Sequence, residues 1–287
     1  MSSNNKKLDL FVDSLICEDE LHPEAIAGKF SLFCNLSRPP GYLEIINASY
    51  DLVPNITIKD FPDSLKGFHA IYKDDIQISL RNDESAAIAH TLLHELFEII
   101  IERLNTKRMP AYELNQYKAN LFAASVLMPE DIFFKFALRS NLDLNLICQR
   151  YWVSYSSLLI RLQYLFQQHE VHYVGILAEN KNCCVDGKDN AILNASSNFK
   201  ITNLIYDSAY NYLCFNSWFT WNRILNKCRE AIMSQENNNK TTLTIADGDF
   251  LLKASPLMHR ENHEAIKTIG IQSLLQKSYE MTLKEVL

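Results

Sequence analysis

The sequence predicts an α+β protein, and three observations carry that expectation. Short β-rich runs at 42–46, 56–58, 67–72 and 76–80 are bounded by turn residues such as Pro54-Asn55, Phe61-Pro62-Asp63 and Lys73-Asp74-Asp75. They lead into an apolar stretch over 88–101, too long for a strand, that carries His94-Glu95-Leu96-Phe97-Glu98. Strand-like runs return at 171–177 and 243–245, beyond a helical stretch.

The elements follow in order. Leu8, Phe11, Val12 and Leu15 share one helical face, and Pro23 stands near the start of a second helix through Ala25, Ile26 and Phe30. Pro39-Pro40-Gly41 breaks the chain ahead of the small sheet. The helix over 88–101 has Leu92, Leu93, Leu96, Phe97, Ile99, Ile100 and Ile101 on nearly all sides, so it is buried; His90, His94, Glu98 and Glu102 form one i, i+4 line facing a cleft. Pro110 separates it from a helix over 112–128 that stops at Pro129. Ala119, Ala123, Ala124 and Ser125 let another helix approach closely, bringing Glu113, Gln116 and Asn120, at i, i+3 and i+7, to the histidine helix. A helical stretch follows and gives way to a strand near His169 and His172. The remainder mixes strands with a helix over 221–233 and an exposed polar loop over 235–240, a separate C-terminal α+β domain. The boundaries expected are 1–136, 137–168 and 169–287.

With 287 residues, 47% of them hydrophobic and 22% charged, the chain has the composition of a folded protein of about two domains. A net charge of −6 argues against direct nucleic-acid binding by the molecule as a whole. Seven cysteines, odd in number and irregularly spaced, read as thiols in a reducing compartment. The N-terminus lacks the apolar core of a signal peptide, and no run approaches the roughly 18 to 20 apolar residues of a membrane span. The expectation is a cytoplasmic protein.

The chemistry concentrates at His94-Glu95-Leu96-Phe97-Glu98. In H-E-x-x-H, two imidazoles one turn apart hold Zn²⁺ while the intervening Glu is the general base. Here Glu98 takes the second place. At i and i+4 it shares a helix face with His94, Glu95 lies about 100° round the axis, and a carboxylate oxygen is an ordinary zinc ligand.

The other candidates have plainer readings. Cys183-Cys184 reads as a strand with one thiol in and one out, and His259-x-x-x-His263 as a solvated polar segment. His169 and His172 read as linker residues, Ser154-Tyr155-Ser156-Ser157 as a packed helix start, and Trp218-Phe219-x-Trp221 as core.

With Gln116 to Pro129 in view, the chain resembles the ImmA/IrrE family of metallopeptidases, whose H-E-L-x-H is followed by E-x-x-A-[ND]-x-F-A-A-x-L-L-M-P. Ala119-Asn120, Phe122-Ala123-Ala124 and Leu127-Met128-Pro129 match, and the spacing from His94 to Ala119 fits. A third match runs from Asp143-Leu144 through Val153-Ser154 to Arg161-Leu162, which looks like the family's helix-turn-helix-like segment. The resemblance spans roughly residues 60 to 166. It implies a zincin-like metallopeptidase domain of small sheet and helices, a bound Zn²⁺ or another divalent metal such as Mn²⁺, and cleavage of a helix-turn-helix transcriptional repressor in a stress or mobile-element response. It also implies, by analogy with members of similar length, a GAF-like sensor domain at the C-terminus.

The departures fall on the ligands. The second His is Glu98, and the family's metal-binding Glu falls on Gln116, with Glu113 one turn earlier as a substitute. A second register pairs His90 with His94 but puts Thr91 in the place of the general base, which Thr cannot serve at neutral pH. The preferred register gives His94 and Glu98 as ligands, Gln116 or Glu113 to complete the shell, and Glu95 as base. The alternative function is a pseudo-protease, the fold retained as a binding or regulatory module.

Overall fold

The computed structural model describes residues 6–18, 21–62, 65–72, 75–109, 111–180, 199–206, 242–247, 250–257 and 268–287, with 227, 228 and 231. The Cys183-Cys184 pair, the His259 and His263 pair, the Trp218 to Trp221 run and the loop over 235–240 lie outside them, as does most of the helix expected over 221–233. The architecture is α+β. The chain divides into two compact units, 1–132 with 151–154, and 133–150 with 155–287.

In the first unit α1 (Lys6–Leu15) and α2 (Pro23–Phe33) form as their apolar spacing predicts, burying Leu8, Phe11, Val12, Leu15, Ile26 and Phe30. Residues 42–46, expected as a strand, open α3 (Tyr42–Leu52) instead. The β-branched pair Ile45 and Ile46 suggested a strand, but helix-start chemistry prevails over it. The Glu44 carboxylate reaches back to the Gly41 N–H at 2.7 Å and the Ser37 hydroxyl at 2.6 Å, which holds its pKa below the usual range, and Ile45, Ala48, Ser49 and Leu52 fall on one buried face.

β1 (Asn55–Lys59), β2 (Gly67–Tyr72) and β3 (Asp75–Arg81) form a sheet in the order β1-β3-β2, with β1 parallel and β2 antiparallel to β3. Ile76, Ile78 and Leu80 are buried; opposite them on β2 stand Ile71, His69 and Gly67, so these side chains share a face. Against the sheet lies α4 (Ser85–Asn105), whose Leu92, Leu93, Leu96, Phe97, Ile99, Ile100 and Ile101 are all fully buried.

α5 (Gln116–Leu127) packs between α4 and α2, with Ala119, Ala123 and Ala124 buried at the contacts. An aromatic chain ties these helices: Phe97 stacks on Phe122 at 4.9 Å, Phe122 meets Phe30 edge-on at 5.5 Å, and Phe30 meets Phe11 at 5.8 Å. The helix starts four residues later than its apolar pattern suggested. Asn115 is the cap, its side chain accepting from the Lys118 N–H at 2.9 Å, and the stretch 111–115 ahead of it is irregular. Residue 113 is therefore off the helix, and the i, i+3, i+7 face drawn through Glu113 does not exist.

The second unit holds α6 (Glu130–Arg139) from Phe133 on, α7 (Leu144–Tyr151), α8 (Tyr155–Gln168) and an antiparallel sheet. Its strands β4 (Tyr173–Asn180), β5 (Phe199–Tyr206), β6 (Leu243–Asp247), β7 (Phe250–Leu257) and β8 (Thr268–Leu275) run in the order β5-β4-β8-β7-β6, and α9 (Gln276–Val286) closes the chain. The α6–α7 turn passes through two left-handed residues, Asn141 and Leu142, and side chains from the sheet hold it. Gln272 donates to the Leu142 carbonyl at 2.8 Å while accepting from Tyr173 at 3.2 Å, and Lys253 donates to Asn141 Oδ1 and, at 2.9 Å, to Thr244 Oγ1. His169 stacks on Phe134 at 4.8 Å.

Burial pushes the Lys253 ammonium down to about 8. Below that pH both folded and unfolded chains carry the proton and the folded one bears the cost of burying it; between about 8 and 10.5 the folded chain loses it first, so stability rises with pH. Tyr173 and Tyr279, both raised by burial, act oppositely above pH 10, so the comparison is with Lys253→Met. The wild-type melting temperature should gain on that of Lys253→Met from about pH 7.5 to about 9.5; a constant gap contradicts the assignment.

Candidate metal centre

α4 places four polar side chains along its length. His94 and Glu98 share the face toward α5, and Glu95, Glu98 and Glu102 face β2. The sequence makes this possible because the helix buries apolar residues on its remaining sides, so the carboxylates need partners. Glu95 is only 7% exposed.

Toward α5, His94 Nδ1 donates to Asn120 Oδ1 at 2.9 Å. An amide oxygen only accepts, so Nδ1 carries a proton and Nε2 is the nitrogen left to face the other way. That nitrogen lies 3.5 Å from Glu98 Oε1, to which Gln116 Nε2 also donates at 2.7 Å. The small residues of α5 allow this approach, and capping by Asn115 sets its first turn so that Gln116 and Asn120 point to α4 together.

Toward β2, the structure adds a residue that the sequence reading passed over. His69 Nδ1 donates to Glu95 Oε2 at 2.7 Å and stands 3.7 Å from Glu98 Oε2, and its Nε2 donates to Glu102 Oε1 at 3.2 Å. The Glu95 hydrogen bond raises its pKa, with Glu102 adding to it against the opposing effect of burial. The signal was present in the period of two: 67, 69 and 71 share the strand face that packs on α4, and a His there has to meet polar groups. Gly67 is what lets the strand come close, since a Cβ on it would stand 2.7 Å from Thr91 Cγ2 and 3.1 Å from Leu80.

The remaining candidates divide. Gln116 is brought into the cluster. Glu113 is not on α5 and gives its backbone carbonyl to Lys118 Nζ at 2.6 Å, the same ammonium lying over the Tyr112 ring. His90 is one turn before His94, and burial pushes its imidazole down to about 4, with His94 and Lys66 adding to the effect, so it is neutral at pH 7. Thr91, the base position of the second register, faces Gly67.

The donors fit a divalent cation on their chemistry. Ligand atoms of His69, Glu95 and Glu98 all lie within 4.8 Å of one another, and Nε2 of His94 stands 3.5 Å from the same Glu98 carboxylate. Imidazole nitrogen with carboxylate oxygen suits Zn²⁺ and equally Mn²⁺ or Fe²⁺.

A small mixed sheet against a long helix bearing this cluster, followed by a helix supplying Gln116 and Asn120, is a zincin-like domain, with a C-terminal α+β part beyond it. Residues 63–163 match the family model described as IrrE N-terminal-like domain, Peptidase_M78. Among solved structures the chain is similar to a Mycobacterium tuberculosis transcriptional regulator, at 13% identity and a TM-score of 0.53, over 96% of this chain and 82% of that one. At that identity the likeness is one of fold. No curated protein matches the chain. Among the described residues no helix is long and apolar enough to cross a membrane.

Gly67→Ala tests the close strand–helix contact. The new methyl group would push β2 off α4 and cost about 1–3 kcal/mol in thermal unfolding of the first unit; an unchanged melting temperature would show that the strand has room to spare.

Proposed function

We propose that this protein is a metal-dependent endopeptidase of the ImmA/IrrE type that cleaves a helix-turn-helix transcriptional repressor, in a stress or mobile-element response. The observation that carries the reading is the Asn120–His94–Glu98 arrangement, in which an outer hydrogen bond fixes one imidazole with its other nitrogen against a carboxylate one turn on. His94 and Glu98 hold the metal, Asn120 orients His94, and Gln116 steadies Glu98. A divalent cation there supplies a Lewis acid for the scissile carbonyl and lowers the pKa of water. Glu95, on the adjacent helix face, takes the proton from attacking water and delivers it to the leaving amide nitrogen. The metal is Zn²⁺ or a harder divalent ion such as Mn²⁺.

A second reading, the pseudo-protease, draws on two observations. Gln116 occupies the position of a ligating Glu and presents its amide N–H to Glu98, and Glu95 is engaged by His69. On that reading the fold binds a partner and the C-terminal part senses a signal.

Glu95→Gln separates the two. If Glu95 is the base, the substitution leaves metal content and fold nearly intact and lowers repressor cleavage by about 10² or more in cells expressing wild type and variant at equal levels. Equal cleavage by both removes the role given to Glu95. Absence of cleavage by either, under every inducing condition, with partner binding intact, favours the second reading. Asn120→Ala should weaken metal binding about 10- to 100-fold, read by competition with a chromophoric chelator, because His94 loses the partner that fixes its tautomer; undiminished affinity would contradict the arrangement.

A further inference from the structure

We infer that His69, from the strand, is a ligand of the metal, replacing the imidazole that the helix motif has lost. The inference rests on the metal-binding reading above and goes beyond it, since the motif places no ligand on β2.

His69 Nε2 is taken up on the outer side by Glu102, a carboxylate whose side chain is 47% exposed, leaving Nδ1 as the nitrogen that faces inward. His94 is arranged in the same way with its nitrogens exchanged: Nδ1 is held by Asn120 and Nε2 faces inward. Both inward nitrogens approach the Glu98 carboxylate, His94 Nε2 3.5 Å from Oε1 and His69 Nδ1, which is bonded to Glu95, 3.7 Å from Oε2, and ligand atoms of His69, Glu95 and Glu98 lie within 4.8 Å of one another. An imidazole whose far nitrogen donates to a carboxylate is the common form of a metal-ligating His.

The donor set is then two imidazoles and one carboxylate, the composition H-E-x-x-H reaches with a distant Glu. The residue types are kept and their positions permuted: Glu98 stands where the helix would carry its second His, and His69 supplies that imidazole from the strand. The permutation gives Gln116 a role as a donor to Glu98 and no longer requires it to ligate. It also bears on Glu95. Nδ1 of His69 donates to Glu95, and binding a metal at Nδ1 would release that proton to solvent and leave the Glu95 carboxylate free to act as base.

The test is metal binding by the full chain, purified without chelator, with Zn²⁺ and Co²⁺ as the probes. His69→Ala should weaken Zn²⁺ affinity by about a hundredfold or more, and Glu102→Gln by about tenfold, with circular dichroism confirming that both remain folded. The Co²⁺-loaded wild type and His69→Ala should also differ in the position and intensity of their visible absorption bands, which follow the ligand set; a residue that only orients its neighbours would change affinity and leave the bands in place. Should His69→Ala fail to fold, Glu102→Gln decides, because its side chain is half in solvent. A wild type that binds metal while both variants bind it equally overturns the role of His69 and leaves the metal reading standing. A wild type that binds neither ion overturns both.

Discussion

Glu98 is where three elements meet. One oxygen receives the Gln116 amide from α5 and faces His94 of its own helix, and the other faces His69 of β2. The constraint behind this is the burial of α4, which is packed on nearly every side and still carries carboxylates where the sheet and the next helix close over it. A carboxylate in that position is costly unless it is paired, hydrogen-bonded or coordinated. The neighbouring elements are built to meet the demand: Gly67 brings the strand within reach of α4, small residues on α5 bring the second helix in, and the Phe97–Phe122–Phe30 contacts hold that helix in place.

The same geometry gives each polar side chain an inward and an outward side. His94 spends Nδ1 on Asn120 and turns Nε2 to Glu98, and His69 spends Nε2 on Glu102 and turns Nδ1 to Glu95, with Glu98 beside it. Such an arrangement could receive a cation, and hydrogen bonding lets the residues coexist without one: His69, its pKa raised by Glu95 and Glu102, donates to both of these carboxylates.

Much of the first unit was legible in the sequence because local signals and packing agree there. The apolar faces of α1 and α2, the strands at 56–58, 67–72 and 76–80 and the buried helix about His94 all formed where periodicity placed them. The departures came where a cap outweighed a pattern. Glu44 turned an apparent strand at 42–46 into a helix start, and Asn115 delayed α5 past Glu113. His94, Glu98, Gln116 and Asn120 could be brought together on paper because helix spacing is enough to do it. His69 could not, since its partners lie 26 and 33 positions away and only the packing of β2 on α4 unites them. The sheet of the second unit, with strands paired across long separations, lay beyond local pattern for the same reason.

The central claim is that the side chains around Glu98 form a metal centre. Anomalous diffraction at the absorption edge of zinc or manganese, from crystals grown with that ion, tests it most directly. The account predicts a single strong peak at about 2.0 to 2.3 Å from Nε2 of His94 and from an oxygen of Glu98. No peak at saturating metal, with His69 still bonded to Glu95 and Gln116 to Glu98, would contradict it.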